Sequence, residues 1–337
     1  MANQDKYSRI FRDFQDLNIL ILGDVMIDAY LFGRVDRISP EAPVPIVSVH
    51  KREERLGGAA NVALNIKSLG GTPWLCSVIG KDPKGAIFTG LLKEQGIESP
   101  GVVQSKNRIT TTKFRIIGNN SQLLRVDEEL TSDLNNEDTK TLIQAVKDIT
   151  ESKKIDAIIF QDYNKGILTH KIIRKIIQIG EEKGIPTAVD PKIKNFSIYK
   201  NITLFKPNLK ELKSGMKTDF NHKDIKELNE VVLKMQEGQN IKNALVTLSE
   251  DGIYISSRTG NQRVIHSIPA HHRSIADVSG AGDTVLGVAS MCLALKLSPY
   301  EIATLSNLAG GLVCEEVGVV PVNKQKFAEE IKKYDPA

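Results

Sequence analysis

The segment DVSGAGDT at residues 277–284 is the part of this sequence best suited to chemistry. Gly280 and Gly282 permit a tight turn, and the apolar run at 285–295 predicts a helix directly after it. The backbone amides of 280–283 would then point from the helix N-terminus toward an anion such as a phosphate. Asp283 is either a general base beside that anion or only a favourable charge in the first helical turn.

Asn208 and Glu211 form a second candidate pair. They lie three residues apart, which places them on one face if Pro207 begins a helix. In one interpretation they hold water around Mg²⁺, an ion that keeps several of its waters in proteins. In the other they only cap the helix, with Asn208 as the N-cap and Glu211 as its partner.

Four residues in the first fifth of the chain are candidates for binding a polar ligand. Gly57 and Gly58 allow close backbone approach, and Asn61 in the following helical turn both donates and accepts hydrogen bonds. The carboxylate of Asp28 has room to accept from two hydroxyl groups. Each also has a plain structural interpretation, as a helix N-terminal turn, a surface helix residue or a loop carboxylate.

The elements that must position these residues alternate between short apolar runs and amphipathic helices. The first run, at 18–25, ends in Gly-Asp, as is typical of a buried parallel strand whose carboxyl end opens into a site. Similar runs follow at 75–79, 157–160, 187–189, 203–205 and 244–248. Helical spacing marks 59–69, 85–95, 139–150, 170–182 and 223–236. This pattern predicts an α/β fold with a doubly wound, mostly parallel sheet and helices on both faces.

Two regions depart from this alternation. Residues 44–49 and 111–126 alternate apolar and polar side chains, and the second contains a hairpin signal at 118–120. We expect lid strands at about 44–56 and 111–126, forming a small sheet over the main one, with an edge extension of the main sheet as the alternative. Exposed edges of such a lid favour pairing with a second copy, so we expect a homodimer.

Composition excludes several classes of protein. The chain has 337 residues, 41% hydrophobic and 26% charged, without a linker or repeat, which favours one continuous domain over 1–337. A dispersed net charge of +4 argues against nucleic acid or a membrane surface as partner. The polar N-terminus and the absence of a long apolar run predict a cytoplasmic protein. The three cysteines, Cys76, Cys292 and Cys314, are far apart in the sequence, which predicts reduced thiols. His271 and His272 are adjacent, so their side chains point in opposite directions in an extended segment, and we expect no metal site there.

These motifs together resemble the PfkB, or ribokinase-like, family of sugar kinases. The 277–284 segment resembles the family's second signature, and LGGAANVALNIKSLGG at 56–71 resembles its first. Further matches are Asp28 after the first strand, KPNLKE at 206–211 and TLSEDG at 247–252, all in family order over about 15–330. The resemblance implies a ribokinase-like fold, ATP and Mg²⁺ as cofactors, and a monovalent cation as a further candidate.

The resemblance also implies roles for individual residues. Asp283 would be the general base, and the amides of Gly280, Ala281 and Gly282 would form the anion hole. Asp28, Gly57, Gly58 and Asn61 would bind the sugar. The expected nucleotide-side residues are Asn208, Glu211, Thr247, Gly252, Gly282, Asn307 and Gly310, and Asn208 and Glu211 would hold the outer water shell of magnesium.

Within the family, three segments resemble the kinases that phosphorylate D-glycero-β-D-manno-heptose 7-phosphate at C1 on the route to ADP-heptose. These segments are residues 23–49, DYNKG at 162–166 and VDPK at 189–192. Asp162 and Asp190 are then candidate substrate residues, and the sugar phosphate needs cations, for which Arg37, Arg125, Lys165 and Lys192 are candidates. Such kinases are often fused to a nucleotidyltransferase, whose His-x-Gly-His motif is missing here, so we expect that activity on another polypeptide.

The sequence disfavours three other functions. Another sugar kinase of the family is disfavoured by the SPEAPVP run at 39–45 and the DYNKG element. A dinucleotide-dependent dehydrogenase lacks support, because no Gly-x-Gly-x-x-Gly follows the first strand. A noncatalytic sugar or nucleotide sensor is disfavoured because Asp283 and its flanking glycines are all present.

Overall fold

The computed structural model describes residues 2–119, 121–260, 262–271 and 273–333. Its strands are β1 Asn18–Gly23, β2 Val25–Ile38, β3 Pro45–Gly58, β4 Thr72–Gly80, β5 Gly101–Ser105, β6 Thr112–Gly118, β7 Ser121–Glu128, β8 Ala157–Gln161, β9 Thr187–Asp190, β10 Leu204–Phe205, β11 Asn243–Thr247, β12 Ile253–Thr259 and β13 Gln262–Ile268. Its helices are α1 Ala2–Asp13, α2 Ala59–Ser68, α3 Pro83–Glu94, α4 Asn136–Ser152, α5 His170–Lys183, α6 Leu209–Met216, α7 Ile225–Gln239, α8 Ala281–Ala294, α9 Pro299–Val313 and α10 Lys324–Lys333.

The main sheet has nine strands in the order β13-β12-β11-β10-β9-β8-β1-β4-β5. The seven strands from β11 to β5 in this order pair in parallel. At the opposite edge β12 pairs antiparallel with β11, and β13 pairs antiparallel with β12. Because side chains alternate along a strand, β1 sends Ile19 and Ile21 into one core and Leu20 and Leu22 into the other. The predicted ribokinase-like, doubly wound sheet with helices on both faces is confirmed.

A separate four-stranded sheet, which we call the lid, has the order β3-β2-β6-β7. It contains both regions predicted as lid strands, and β6 and β7 form the expected antiparallel hairpin around Asn120, which lies outside the described residues. The alternative of an edge extension is therefore wrong. Strand β2 was not predicted, because the segment 25–38 mixes an apolar start with charged residues and follows β1 after a single residue.

Gly23, the last residue of β1, determines how closely β1 and β8 approach. A Cβ at this position would lie 2.1 Å from the backbone oxygen of Gln161 in β8. Real Cβ atoms do not approach backbone oxygens so closely, so a larger residue must push the two strands apart. This close approach affects the site described below, because two residues of that site are involved. Gln161 is the residue that Gly23 contacts, and Asp24 directly follows Gly23.

We expect Gly23→Ala to lower the free energy of unfolding by roughly 1–3 kcal/mol, the usual cost of overpacking a rigid site. Gly90→Ala in α3 is the matched control, because its Cβ meets nothing within 4 Å. That control should raise stability by about 0.5–1 kcal/mol through helix propensity. Urea unfolding of both variants measures the difference, and equal stabilities would contradict this account of the β1–β8 contact.

Candidate active site

Asp283 lies in the first turn of α8, and three side chains from other elements donate hydrogen bonds to it. Its Oδ1 accepts from Gln161 Nε2 at 2.9 Å and from the Tyr163 hydroxyl at 2.8 Å. Its Oδ2 accepts from Asn61 Nδ2 in α2 at 2.9 Å. The side chain is almost fully buried. The structure thus places a carboxylate inside the protein and supports it with donors from α2, β8 and the turn after β8.

Burial raises the pKa of Asp283 to about 6, because a surrounding of low polarity disfavours the charged form. The hydrogen bonds from Asn61 and Tyr163 lower this pKa, while the nearby Asp190 raises it and Lys206 lowers it. A carboxyl group with such a pKa is ionised at neutral pH and is a better proton acceptor than a surface carboxylate. These properties suit a general base.

The glycines before Asp283 shape the helix N-terminus as the sequence predicts. Gly280 precedes α8 with a left-handed φ of 83°, and Ala281 is the first helical residue. The amides of Gly282 and Asp283 belong to the first turn, where a helix supplies no internal acceptor. A Cβ on Gly282 would lie 3.7 Å from Lys206 Nζ, so an ammonium group lies beside the expected anion hole.

Two lysines near this turn are paired with carboxylates. Lys206, which is buried, places its Nζ 3.0 Å from Asp190 Oδ2. Lys192 forms an ion pair with Glu211, and its Nζ lies 3.9 Å from Asp190 Oδ1 and 5.5 Å from the centre of the Tyr163 ring. Lysines close to a helix N-terminus are the arrangement that a transferring phosphoryl group requires.

Asp24, directly after β1, fixes the turn that carries Tyr163. Its Oδ2 accepts from the backbone N–H groups of Tyr163 at 2.7 Å and Lys165 at 3.1 Å, and its Oδ1 accepts from that of Ile167 at 3.2 Å. Burial, and then the charge of Asp162, raises the pKa of Asp24 to about 6. A second buried carboxylate, that of Asp24, therefore fixes the backbone of residues 163–167.

Asp162, a predicted substrate residue, holds this turn in the structure, and a role toward substrate stays a prediction. Its Oδ1 accepts from the N–H of Asn164 at 2.8 Å, and its Oδ2 accepts from Asn195 Nδ2 and the Tyr199 hydroxyl, each at 2.9 Å. The physical reason is alternation along the extended chain, which turns the side chain of residue 162 away from the side that its neighbours face. Its carboxylate is completely buried, and its role in this structure is to support the turn.

The expected sugar-side residues lie where β2, β3 and α2 meet. Asp28 in β2 forms an ion pair with Arg115 in β6. Gly57 gives that carboxylate room, because a Cβ there would lie 2.2 Å from Asp28 Oδ2. Gly58 ends β3 directly before α2. The side-chain amide of Asn61 donates to Asp283, the candidate base. Direct sugar binding by Asp28, Gly57, Gly58 and Asn61 stays a prediction.

A second cationic group joins the lid to the turn after β8. Lys165 Nζ donates to Glu129 Oε1 at 2.5 Å, and the lid residue Lys113 lies 4.0 Å from Asp127 Oδ2. Arg125 in β7 binds both oxygens of Asp127, at 2.9 and 3.1 Å. Burial, together with the charges of Arg125 and Lys165, lowers the pKa of Lys113. Three cations thus converge here with two carboxylates. Arg37 lies elsewhere on β2 and is exposed.

On the expected nucleotide side, Asn208 caps α6. Asn208 Oδ1 accepts from the Glu211 N–H at 2.8 Å, and Glu211 Oε2 accepts from the Asn208 N–H at 2.9 Å, so both halves of the capping box are present. Thr247 lies beside Asn208, to which it is joined by a parallel bridge. Capping accounts for these contacts of Asn208 and Glu211, and their roles toward nucleotide and magnesium stay predictions.

Three further expected nucleotide residues shape the neighbouring backbone. Gly252 ends the turn after β11, and Asn307 Nδ2 in α9 donates to the carbonyl of Pro269 at 2.8 Å. Gly310 allows α9 to pack on α8, because a Cβ there would lie 2.6 Å from Val285 Cγ2. The structure gives Asn307 and Gly310 these packing roles, and a contact with adenine stays a prediction.

Sequence reasoning missed five residues of this site: Gln161, Tyr163, Lys206, Lys113 and Arg115. Gln161 and Lys206 carried a signal, because a polar residue at the end of a buried strand marks the edge where sites form. Tyr163 lay inside the DYNKG segment but was not singled out. Lys113 and Arg115 follow the alternation of β6, whose partner strand β2 was not predicted.

Other features of the described residues give no further site. Within residues 2–119, 121–260, 262–271 and 273–333, no group of three His, Cys, Asp or Glu side chains is arranged to hold a metal. His272 lies outside these residues. Cys76 and Cys292 are buried, Cys314 is partly buried, and all three are free thiols. Among the helices described, none is both long and apolar enough to pass through a lipid bilayer.

The fold and the site define a carbohydrate kinase. The family model of the pfkB family carbohydrate kinases matches residues 16–326, and the chain belongs to this family. The chain is 38% identical over 316 residues to the bifunctional protein HldE of Caulobacter vibrioides, covering 93% of this chain and 63% of that protein. It is 35% identical over 320 residues to the protein of that name in Syntrophotalea carbinolica, covering 95% and 64%. The chain therefore spans a little under two thirds of the length of these relatives.

Solved structures of other kinases share the fold. The phosphofructokinase-2 of Escherichia coli in complex with potassium matches with a TM-score of 0.76 and 18% identity, covering 94% of this chain and 99% of that one. The ribokinase of Arabidopsis thaliana complexed with ribose and ATP matches with a TM-score of 0.70 and 16% identity, covering 95% and 99%. At these identities the likeness concerns the fold alone.

We expect Asp283→Asn to retain sugar and nucleotide binding and to lose turnover by about 10²- to 10⁴-fold, because an amide cannot accept the proton. Steady-state kinetics and binding titrations of the same preparation separate the two effects. Near-normal turnover would mean that Asp283 only supports the helix.

The pH dependence of kcat/KM should show an acid limb near pH 6, because Asp283 must be ionised to act as a base and its pKa is raised to about 6. Activity should fall about tenfold for each pH unit below that limb. A pH profile of the wild-type enzyme with saturating ATP makes the measurement. An acid limb near 4, the ordinary value for aspartate, would contradict the buried base.

Proposed function

We propose that this protein transfers the γ-phosphoryl group of ATP to C1 of D-glycero-β-D-manno-heptose 7-phosphate, giving the 1,7-bisphosphate used to make ADP-heptose for lipopolysaccharide. The observation that carries the proposal is the buried carboxylate of Asp283, which lies beside a helix N-terminus and two lysines in a pfkB-family chain. The choice of sugar rests on the resemblance of residues 23–49, 162–166 and 189–192 to heptose phosphate kinases, and agrees with the similarity to HldE.

Unpaired acceptors around the site favour a ligand with many hydroxyl groups. Within the described part of the chain, four buried oxygens near the site accept no hydrogen bond: Gln161 Oε1, Asn164 Oδ1, Asp190 Oδ1 and Glu129 Oε2. Buried polar atoms nearly always have a hydrogen-bond partner in proteins, so we expect these oxygens to accept hydrogen bonds from a bound ligand. The hydroxyl groups of a sugar supply such donors, whereas an apolar ligand does not.

The proposed reaction uses the oxygen of Asp283 that has one protein donor. Oδ2 takes the proton of the anomeric hydroxyl, which is more acidic than an ordinary alcohol because the ring oxygen withdraws electrons. The C1 oxygen then forms a bond to the γ-phosphorus of ATP while the bond from that phosphorus to the β–γ bridging oxygen breaks, and ADP leaves. The first-turn amides of α8 and the ammonium group of Lys206 stabilise the charge on the moving phosphoryl group.

Magnesium fits this site as an ion held mainly by the phosphates of ATP. Asp190 Oδ1 has no donor among the described residues, and the carboxylate of Glu211 is partly accessible, so both offer acceptors for waters of the ion. Magnesium commonly keeps several waters in nucleotide sites. When bound, the ion neutralises charge on the phosphates. ATP as donor implies that the reaction takes place in the cytoplasm.

We assign the 7-phosphate of the sugar to the group of Lys113, Lys165 and Arg125. Burying a dianion without cations is prohibitively costly, and these cations converge at the edge of the lid. Lys192, which we expected at this phosphate, lies instead beside Asp190 and Glu211. We therefore assign Lys192 to the end of the site where the phosphoryl group is transferred.

Lys113→Ala and Lys165→Ala should each raise KM for heptose 7-phosphate by about 10- to 100-fold, the effect of losing a charge-assisted hydrogen bond, and change KM for ATP much less. Lys192→Ala should lower kcat instead. Lys194→Ala is the matched control, because Lys194 is half exposed and pairs with Asp133 outside the site. ADP release measured with the phosphorylated and the free heptose makes the test, and equal kcat/KM values for both sugars would remove the reason for a phosphate pocket.

We also propose that the lid pairs with a second copy of the chain. The outermost lid strand, β7, is exposed along its whole length, and Leu124 and Val126 point to the same face with 55% and 43% of their surfaces exposed. Apolar side chains along an unpaired edge strand favour association.

Sedimentation velocity at micromolar concentration should show a dimer that the double variant Leu124→Glu, Val126→Glu converts to a monomer, because it places charges on the paired face. Val264→Glu is the control, since Val264 is similarly exposed on β13, far from the lid in sheet order. A wild-type monomer, or a dimer lost equally in the control, would overturn pairing through the lid.

A further inference from the structure

We propose that Tyr163 is a positioning residue for Asp283: its hydroxyl occupies Oδ1 of the carboxylate and leaves Oδ2 as the oxygen that accepts the substrate proton. This inference rests on the proposed role of Asp283 as the base. It goes further because it gives a role to Tyr163 of the DYNKG segment. Neither the sequence analysis nor the family comparison assigned a role to this tyrosine.

The hydrogen bonds to Asp283 are distributed unequally. Oδ1 accepts two, from Tyr163 at 2.8 Å and Gln161 at 2.9 Å, whereas Oδ2 accepts one, from Asn61 at 2.9 Å. An ionised carboxylate has about two acceptor positions on each oxygen. The positions on Oδ1 are therefore filled by the protein, and one position on Oδ2 remains for a substrate hydroxyl.

Tyr163 is held firmly enough to perform this task. Its backbone N–H donates to Asp24 Oδ2 at 2.7 Å, and the same oxygen accepts from the N–H of Lys165. Lys192 Nζ lies 5.5 Å from the centre of the ring. Burial, and then the charge of Asp283, raises the pKa of Tyr163 well above its usual value, so its hydroxyl stays protonated and acts as a donor.

Three charged groups of the described residues face Asp283, and they come from the ends of two strands: Asp190 at the end of β9, Lys192 just after it, and Lys206 after β10. Changing any of them alters the net charge of the site. Tyr163→Phe removes one hydrogen bond from the carboxylate and leaves every charge in place. A hydrogen bond to the charged form lowers the pKa of a carboxyl group, so its loss should raise the pKa of Asp283.

The test is the pH profile of kcat/KM for Tyr163→Phe. We expect the acid limb to move upward by about one pH unit, so that activity falls about tenfold well below the limb and approaches wild type above pH 8. Tyr199→Phe is the matched control. Tyr199 is a fully buried tyrosine that likewise donates to a carboxylate, at 2.9 Å, but its partner is Asp162. Its acid limb should stay at the wild-type position.

A second measurement does not depend on the substrate. Carboxyl ¹³C NMR titration of the ligand-free protein, with the Asp283 signal assigned from Asp283→Asn, reports the pKa directly. An upward shift in Tyr163→Phe and no shift in Tyr199→Phe support the inference, even if heptose 7-phosphate is not turned over, a result that would refute only the proposed function. An unmoved pKa, or a higher KM for the sugar with an unchanged acid limb, would overturn it and make Tyr163 a substrate contact.

Discussion

The burial of one carboxylate, that of Asp283, is the constraint on which the rest of the site depends. A charge inside a protein is tolerated only when donors surround it, and the donors here come from separate parts of the chain. Each donor is itself held: Asn65 Nδ2 donates to the carbonyl of Asn61, and Asp24 holds the backbone of Tyr163. Asn65 Oδ1 also accepts from the hydroxyl of Thr284, the residue that follows Asp283 in α8. This polar network connects α2, α8 and the ends of the central strands.

The ends of the parallel strands and the lid contribute residues to the same region. The strands β1, β8 and β9 end side by side, so the residues that follow them share one crevice. The ends of β9 and β10 bring Asp190, Lys192 and Lys206 toward the first turn of α8, which carries Asp283, while the lid brings Asp28, Arg115 and Lys113. Lys165 and Lys192 are paired with Glu129 and Glu211, so an anionic ligand must compete with those carboxylates for each ammonium group.

The sequence was sufficient to predict six parallel strands of the main sheet, two regions of the lid and the candidate base, because hydrophobic periodicity and glycine-rich turns are local signals. Strands β5, β12 and β13 were not predicted. Strand β2 was missed because its apolar start gives way to charged residues and its pairing with β6 depends on contacts distant in sequence. The contacts of Asp162 with Asn195 and Tyr199 were not predicted for a related reason, since the side to which a residue after a strand points depends on the packing of that turn. Tyr163 was missed because its contact with Asp283 appears only when the turn after β8 and α8 come together. The capping box of Asn208 and Glu211 shows that one motif can serve structure by itself.

The central claim is that the buried base directs phosphoryl transfer to the anomeric oxygen of a heptose phosphate. The most direct measurement is ³¹P and ¹³C NMR of the product formed from ATP and D-glycero-β-D-manno-heptose 7-phosphate. Our account predicts a 1,7-bisphosphate in which C1 couples to the new phosphorus, and no such product with Asp283→Asn. A phosphate on any other carbon, or a bisphosphate formed equally well by Asp283→Asn, would contradict it.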